Sequence, residues 1–171
     1  MMRRPHILIL AGLLSIAACK KKSEQLTLTT VPASLVASLE RGPCRGSCPD
    51  YRVEVYGDGR VRFFGKQHVG SIGVHNGTTT LKEVRQLIKQ VAASEVASAD
   101  TAYVMGSKGC GQYYTDLPMS TLTVRVGEQL KTIQHDPGCR NAPAFLKTLE
   151  AQVDSAARSA MWIAGNGEKA K

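Results

Sequence analysis

Tyr51-Arg52-Val53-Glu54-Val55-Tyr56-Gly57-Asp58-Gly59-Arg60-Val61-Arg62-Phe63-Phe64 is the stretch that decides the fold. Polar and apolar residues alternate over 51–55 and again over 60–64, the two-residue period of a strand with one buried face. Gly57-Asp58-Gly59 between them has the composition of a tight turn, so the stretch predicts a β-hairpin. A hairpin belongs to an antiparallel sheet, whose apolar face needs a cover.

The cover is found downstream. Thr80-Leu81-Lys82-Glu83 is a capping box, in which the Thr oxygen and the Glu carboxylate each satisfy an orphan backbone N–H. Leu81, Val84, Leu87, Ile88 and Val91 follow at helical spacing. Pro143 can open a second helix, with Phe145, Leu146, Leu149, Val153 and Ala156 as its stripe and its end near Trp162. Leu35, Ala37 and Leu39 alternate with polar neighbours as a first strand, and Gly42-Pro43 ends it. Residues 65–77 are glycine-rich, with room for one short strand. Residues 94–118 carry no clean period and read as a long loop. Thr121 to Val126 alternate, Gly127-Glu128 turn, and 129–134 return less regularly. The expected class is α+β: an antiparallel sheet of hairpins, with two amphipathic helices packed on one face. Hairpin-then-helix occurs twice, as in a degenerate duplication.

The N-terminus reads as an export signal. Met1-Met2-Arg3-Arg4 precedes an apolar run over 7–18 that closes on Ile16-Ala17-Ala18-Cys19. The run is shorter than the ~20 residues of a membrane span. The tripeptide before Cys19 resembles the lipobox of bacterial lipoproteins. That resemblance implies cleavage before Cys19, a diacylglyceryl group on its thiol and acylation of the new amine. Several acyl chains anchor firmly, at about 0.8 kcal/mol per buried CH₂. Lys20 follows Cys19 where an inner-membrane retention signal would place Asp, so the resemblance implies the periplasmic side of the outer membrane. A soluble periplasmic protein with a chance Cys19 is the alternative. The expected organisation is a signal peptide over 1–18, a lipidated tether over 19–32, one domain over 33–162 and a polar tail over 163–171.

The formal charge of +8 invites a nucleic-acid reading, but position removes it. Of 22 Lys and Arg, seven fall outside 23–167: Arg3, Arg4, Lys20, Lys21, Lys22, Lys169 and Lys171. Of 14 Asp and Glu, only Glu168 does, which leaves 15 basic against 13 acidic side chains and a net near +2. The basic ends suit an anionic membrane surface, and no nucleic-acid partner is expected.

With Cys19 assigned to lipid, Cys44, Cys48, Cys110 and Cys139 remain. An even number in an oxidising compartment predicts two disulfides, with three possible pairings. Cys44–Cys48 with Cys110–Cys139 is the favoured one. The first pair needs a turn, since an extended chain would separate the Cα atoms by about 13 Å against the ~7 Å a bridge tolerates. Pro43 and Gly46 supply turn chemistry. On the chain-entropy account the bridges contribute about 2 and 3.6 kcal/mol. A redox dithiol at Cys44 and Cys48, activated by Arg45, is the catalytic alternative, but three residues intervene where thioredoxin-like motifs carry two. Zinc is a third reading, disfavoured because exported thiols oxidise first.

Cys44-Arg45-Gly46-Ser47-Cys48-Pro49-Asp50-Tyr51, followed by the hairpin, resembles the C-x-G-x-C-P-x-Y motif of domain-of-unknown-function family 6438. Thr115-Asp116-Leu117-Pro118 and the ending over 146–162 are also similar to that family. The resemblance spans about 33–162. It implies these domain boundaries and the Cys44–Cys48 pairing, and it brings no reaction.

Other residues yield no catalytic set. His68, His75 and His135 lack metal-ligand spacing, Ser47 and Ser71 lack a nucleophile elbow, and Gly65-Lys66 lacks the glycines of a phosphate loop. Asp116 reads as a turn cap before it reads as a catalytic carboxylate. Tyr103, Tyr113, Tyr114 and Asp116 share the long loop and form a candidate binding surface, unless the rings simply pack over the sheet edge. Arg52, Arg60 and Arg62 share the outer hairpin face with Glu54, as a cross-strand charge network or an anion site. The expected function is a non-enzymatic binding or structural module, membrane-anchored and without cofactor or metal. An exported thiol–disulfide oxidoreductase is one alternative; an inhibitor or scaffold docking a partner protein is the other.

Overall fold

The computed structural model describes residues 33–167. The expected signal peptide, Cys19, the expected tether as far as residue 32 and the last four residues of the expected polar tail lie outside them. Among the described residues seven strands form one sheet: β1 (Leu35–Arg41), β2 (Asp50–Tyr56), β3 (Arg60–Gln67), β4 (Gly73–Thr78), β5 (Ala102–Tyr103), β6 (Ser120–Val126) and β7 (Gln129–His135). Their order is β4-β3-β2-β1-β6-β7-β5, antiparallel except for the β5–β7 pair. The helices are α1 (Leu81–Ala93), α2 (Ala144–Ala157) and α3 (Ser159–Ile163).

The predicted hairpin is β2–β3, in register Val53↔Phe63, Glu54↔Arg62 and Val55↔Val61. Its turn needs glycine at position 59. There φ is +87°, and a Cβ would stand 2.7 Å from the Thr79 carbonyl oxygen. Alternation then sends Ala37, Leu39, Val53, Val55, Val61, Phe63, Leu122, Val124 and Ile133 to one buried face. Val84, Leu87 and Val91 of α1, with Leu146, Leu149 and Val153 of α2, close over them. The capping box forms as read, with Glu83 N–H donating to Thr80 Oγ1 at 3.2 Å and Thr80 N–H to Glu83 Oε2 at 2.8 Å. Phe63 lies between Tyr51 and Trp162, at centroid distances of 5.4 and 5.7 Å.

Several expectations change or sharpen. The second helix does not run unbroken to Trp162. Arg158 adopts the left-handed conformation (φ 54°, ψ 38°), ends α2, and turns α3 so that Trp162 reaches Phe63. Pro143 opens α2 from the N-cap, one position ahead of the first helical residue, and its carbonyl accepts from Leu146 N–H at 3.0 Å. The glycine-rich 65–77 stretch does contain the one further strand it had room for, β4, six residues long and paired along its length with β3. The long loop is partly ordered by a 3-10 turn over Glu95–Ala97 and by β5 beside β7. The two hairpin-then-helix units are also unequal, with four strands before α1 and three before α2.

Candidate functional site

One end of the sheet gathers most of the residues singled out in the sequence. β1 ends there at Arg41, β2 and β6 begin there at Asp50 and Ser120, and β7 ends there at His135. Both disulfides sit at this end. Cys44 and Cys48 are bridged with Cα atoms 5.7 Å apart, the chain turned by a Gly46 N–H to Cys44 O bond of 2.8 Å. Cys110 and Cys139 are bridged at 4.4 Å. Around the second bridge two segments run side by side: Arg140 N–H donates to Gln112 O, Asn141 N–H to Cys110 O, and Tyr114 N–H to Gly138 O, all at 3.0–3.1 Å. Gly138 is required by this approach, because a Cβ there would lie 2.0 Å from Tyr114 O.

The four proposed surface residues separate. Tyr103 is buried on β5, its ring against Gly109 and its hydroxyl accepting from Asp100 N–H at 3.1 Å. It therefore leaves the candidate surface, because pairing with β7 turns it inward. Tyr113 is half-buried and donates to Asp136 Oδ2 at 2.9 Å; that bond to a carboxylate holds its phenol above the usual range. Tyr114 is exposed, with the Arg140 guanidinium beside it. Asp116, at φ 73°, meets Arg45 Nε at 3.3 Å and so links the two disulfide loops. Leu117 and Met119 are exposed on the same stretch, and Met105 lies exposed ahead of Cys110.

Beneath these loops lies a buried polar network that the sequence reading did not assemble. Ser120 Oγ and His135 Nδ1 each contact Glu150 Oε1 at 2.6 Å. Arg41 approaches Glu150 Oε2 at 3.4 Å and donates to Asp154 Oδ2 at 2.8 Å; Tyr51 donates to Asp154 Oδ1 at 2.7 Å. Burial pushes the Glu150 carboxyl up, but hydrogen bonds from His135 and Ser120 and the nearby positive charge outweigh it and hold it below the ordinary range. Burial, then the Asp154 carboxylate, raises the Tyr51 phenol. The carboxylate stands between hydroxyl and imidazole. In acyl-transfer triads the imidazole takes that middle place, so that it can accept the hydroxyl proton. Here the Ser120 proton is turned toward a carboxylate, and the network instead ties α2 to β1, β2, β6 and β7. The sequence signal for it was Glu150 itself, an acid four residues after Leu146 in an apolar stripe.

The remaining candidates lie elsewhere. His68 has φ 52° and contacts Cys48 O at 3.2 Å; His75 tilts against Trp162. Arg52 and Arg62 flank the Phe64 ring at 4.2 and 4.8 Å and pair with Glu54, the Arg62 pair crossing between strands, while Arg60 pairs with Asp58 of the turn and stays outside that network. Among the described residues no group of three or more His, Cys, Asp or Glu is placed to hold a metal, and no helix is long and apolar enough to cross a membrane.

No curated protein matches the sequence. The family model for the domain of unknown function DUF6438 matches residues 36–157, from the second residue of β1 to the end of α2 with both disulfides inside, and the chain belongs to that family.

Proposed function

We propose that the protein is a lipid-anchored envelope module, attached through Cys19 at the periplasmic side of the outer membrane, whose non-enzymatic domain docks a partner protein on its disulfide-bonded end. The observation that carries the reading is the display of Tyr114, Leu117 and Met119. These exposed apolar side chains sit on a stretch held by Cys110–Cys139 and by backbone bonds at both ends, Tyr114 N–H to Gly138 O at 3.0 Å and Gly42 N–H to Met119 O at 2.8 Å. A stretch fixed before binding loses little ordering entropy on binding. Two closed disulfides are also what an oxidising compartment maintains.

A photo-crosslinking residue at Tyr114 tests this in intact cells. It is expected to yield a discrete adduct that is lost when Leu117→Asp and Met119→Asp are added. The same residue at Lys89, on α1, is expected to yield none. Equal labelling at both sites would refute the docking surface.

A thiol–disulfide oxidoreductase is the second reading. Cys44–Cys48 is the more accessible bridge, half-buried beside a largely exposed Arg45, whereas Cys110 and Cys139 are buried. Turnover of a dithiol substrate that disappears in Cys44→Ser would establish it in place of the first.

A further inference from the structure

We propose that Met119, with Met105 beside it, is an oxidation site on the docking surface, where a peroxide-class oxidant converts the thioethers to sulfoxides and releases the docked partner. The inference rests on the docking reading above and names the regulation of that surface.

Sulfur chemistry narrows the targets. Cys44, Cys48, Cys110 and Cys139 are closed in two bridges and present no thiolate to an oxidant. Among the described residues the remaining sulfurs are the thioethers of Met105, Met119 and Met161. Met161 is half-buried on α3, whereas Met105 and Met119 are 69% and 42% exposed.

Topology brings the two exposed thioethers to one end of the sheet. Tyr103 of β5 and Ser120 of β6 both pair with His135, from opposite sides of β7. β5 runs parallel to β7 and leaves the sheet past Tyr103; β6 runs antiparallel and enters at Ser120. Met105, two residues beyond Tyr103, and Met119, one before Ser120, therefore stand at the same end, on strands about 10 Å apart. Their backbone is fixed on both sides. Met119 O accepts from Gly42 N–H at 2.8 Å, and the turn around Met105 is closed by Ser107 N–H to Val104 O at 2.9 Å and Val104 N–H to Ser107 Oγ at 3.0 Å.

The step is an oxygen-atom transfer. A sulfur lone pair attacks one oxygen of hydrogen peroxide, forming the S–O bond as the O–O bond breaks. The other oxygen leaves with the electron pair and takes up the proton of the transferred oxygen, giving water. Sulfur loses two electrons and the peroxide gains them. The product replaces an apolar tip with a strong hydrogen-bond acceptor. In the free chain water satisfies that acceptor. In the docked complex water is excluded and Leu117, on the same stretch, offers no donor, so the sulfoxide opposes docking.

The test uses the full chain in membranes, with the photo-crosslinking residue at Tyr114. Hydrogen peroxide is added until each methionine is partly oxidised, the sample is irradiated, and sulfoxide is counted by peptide mass spectrometry in the adduct and in the uncrosslinked chain. Met105 and Met119 are expected to oxidise at least about fivefold faster than Met161. The sulfoxide fraction at Met119 is expected to be about tenfold lower in the adduct than in the uncrosslinked chain, with equal fractions at Met161. Oxidation of the partner affects both pools alike and produces no such difference. Equal fractions at Met119 in the two pools would overturn the proposal and leave the docking surface standing. So would a Met119 that resists peroxide while Met161 oxidises. Absence of any adduct before peroxide is added would refute the docking surface itself, and this inference with it.

Discussion

Glu150 stands four residues after Leu146, where a helix stripe calls for an apolar side chain, and its carboxylate instead receives Ser120, His135 and Arg41. Removing one member of a buried ionic network leaves the others uncompensated, so Glu150→Ala is expected to destabilise the fold by about 3 kcal/mol in urea unfolding. A loss below about 1 kcal/mol would mean that α2 is held by apolar packing alone. The network also sets an acid limit. A carboxyl whose folded pKa lies below its ordinary 4.5 contributes stability that is complete above that value and is lost as pH falls through the folded pKa. The stability gap between the native chain and Glu150→Gln is therefore expected to be constant near neutrality and to narrow below about pH 4.5; a gap that widens on acidification would contradict the assignment. Glu83, brought down to about 2 by hydrogen bonds from Thr80 and Thr79, adds acid sensitivity of the same sign through the α1 cap.

The elements differ in how openly the sequence wrote them. β2, β3, α1 and β6 were legible because one local period sufficed: two residues for a strand with one buried face, 3.6 for a capped amphipathic helix. β4 was obscure because Gly73 and Gly77 give no apolar alternation, and its strand character comes from pairing with β3. The break between α2 and α3 was hidden because Arg158 takes a left-handed conformation that sequences usually announce with glycine. At the candidate site the cysteine pairs were readable from their even number and the expected compartment. The polar network was not, because Arg41, Tyr51, Ser120, His135, Glu150 and Asp154 come from five separate elements and meet only in the fold. The Cys110–Cys139 bridge fastens the least periodic stretch to the entrance of α2. Cys110→Ser with Cys139→Ser is expected to cost about 3.6 kcal/mol in denaturant unfolding and to expose the amides of 110–114 to exchange. Unchanged exchange there would show that the backbone ribbon with 138–141 holds without its staple.

Across the whole molecule, the two ends of the sheet have different roles. Leu35 pairs with Tyr56 beside the β2–β3 turn, whereas Arg41 pairs with Tyr51 and Ser120 at the disulfide end. The chain therefore enters the domain about 20 Å from the surface that carries Tyr114, Leu117 and Met119. In the proposed arrangement the lipid end and the docking end are opposite. In that arrangement export would link these features, assigning Cys19 to lipid and exposing the other four cysteines to oxidation. Intact-mass spectrometry of the protein from membranes, alkylated under denaturing, non-reducing conditions, tests that link most directly. The account predicts a chain beginning at an acylated Cys19, with Cys44, Cys48, Cys110 and Cys139 all unmodified by the alkylating agent. A chain that retains Met1, or one that takes up alkyl groups at Cys44 and Cys48, would contradict it.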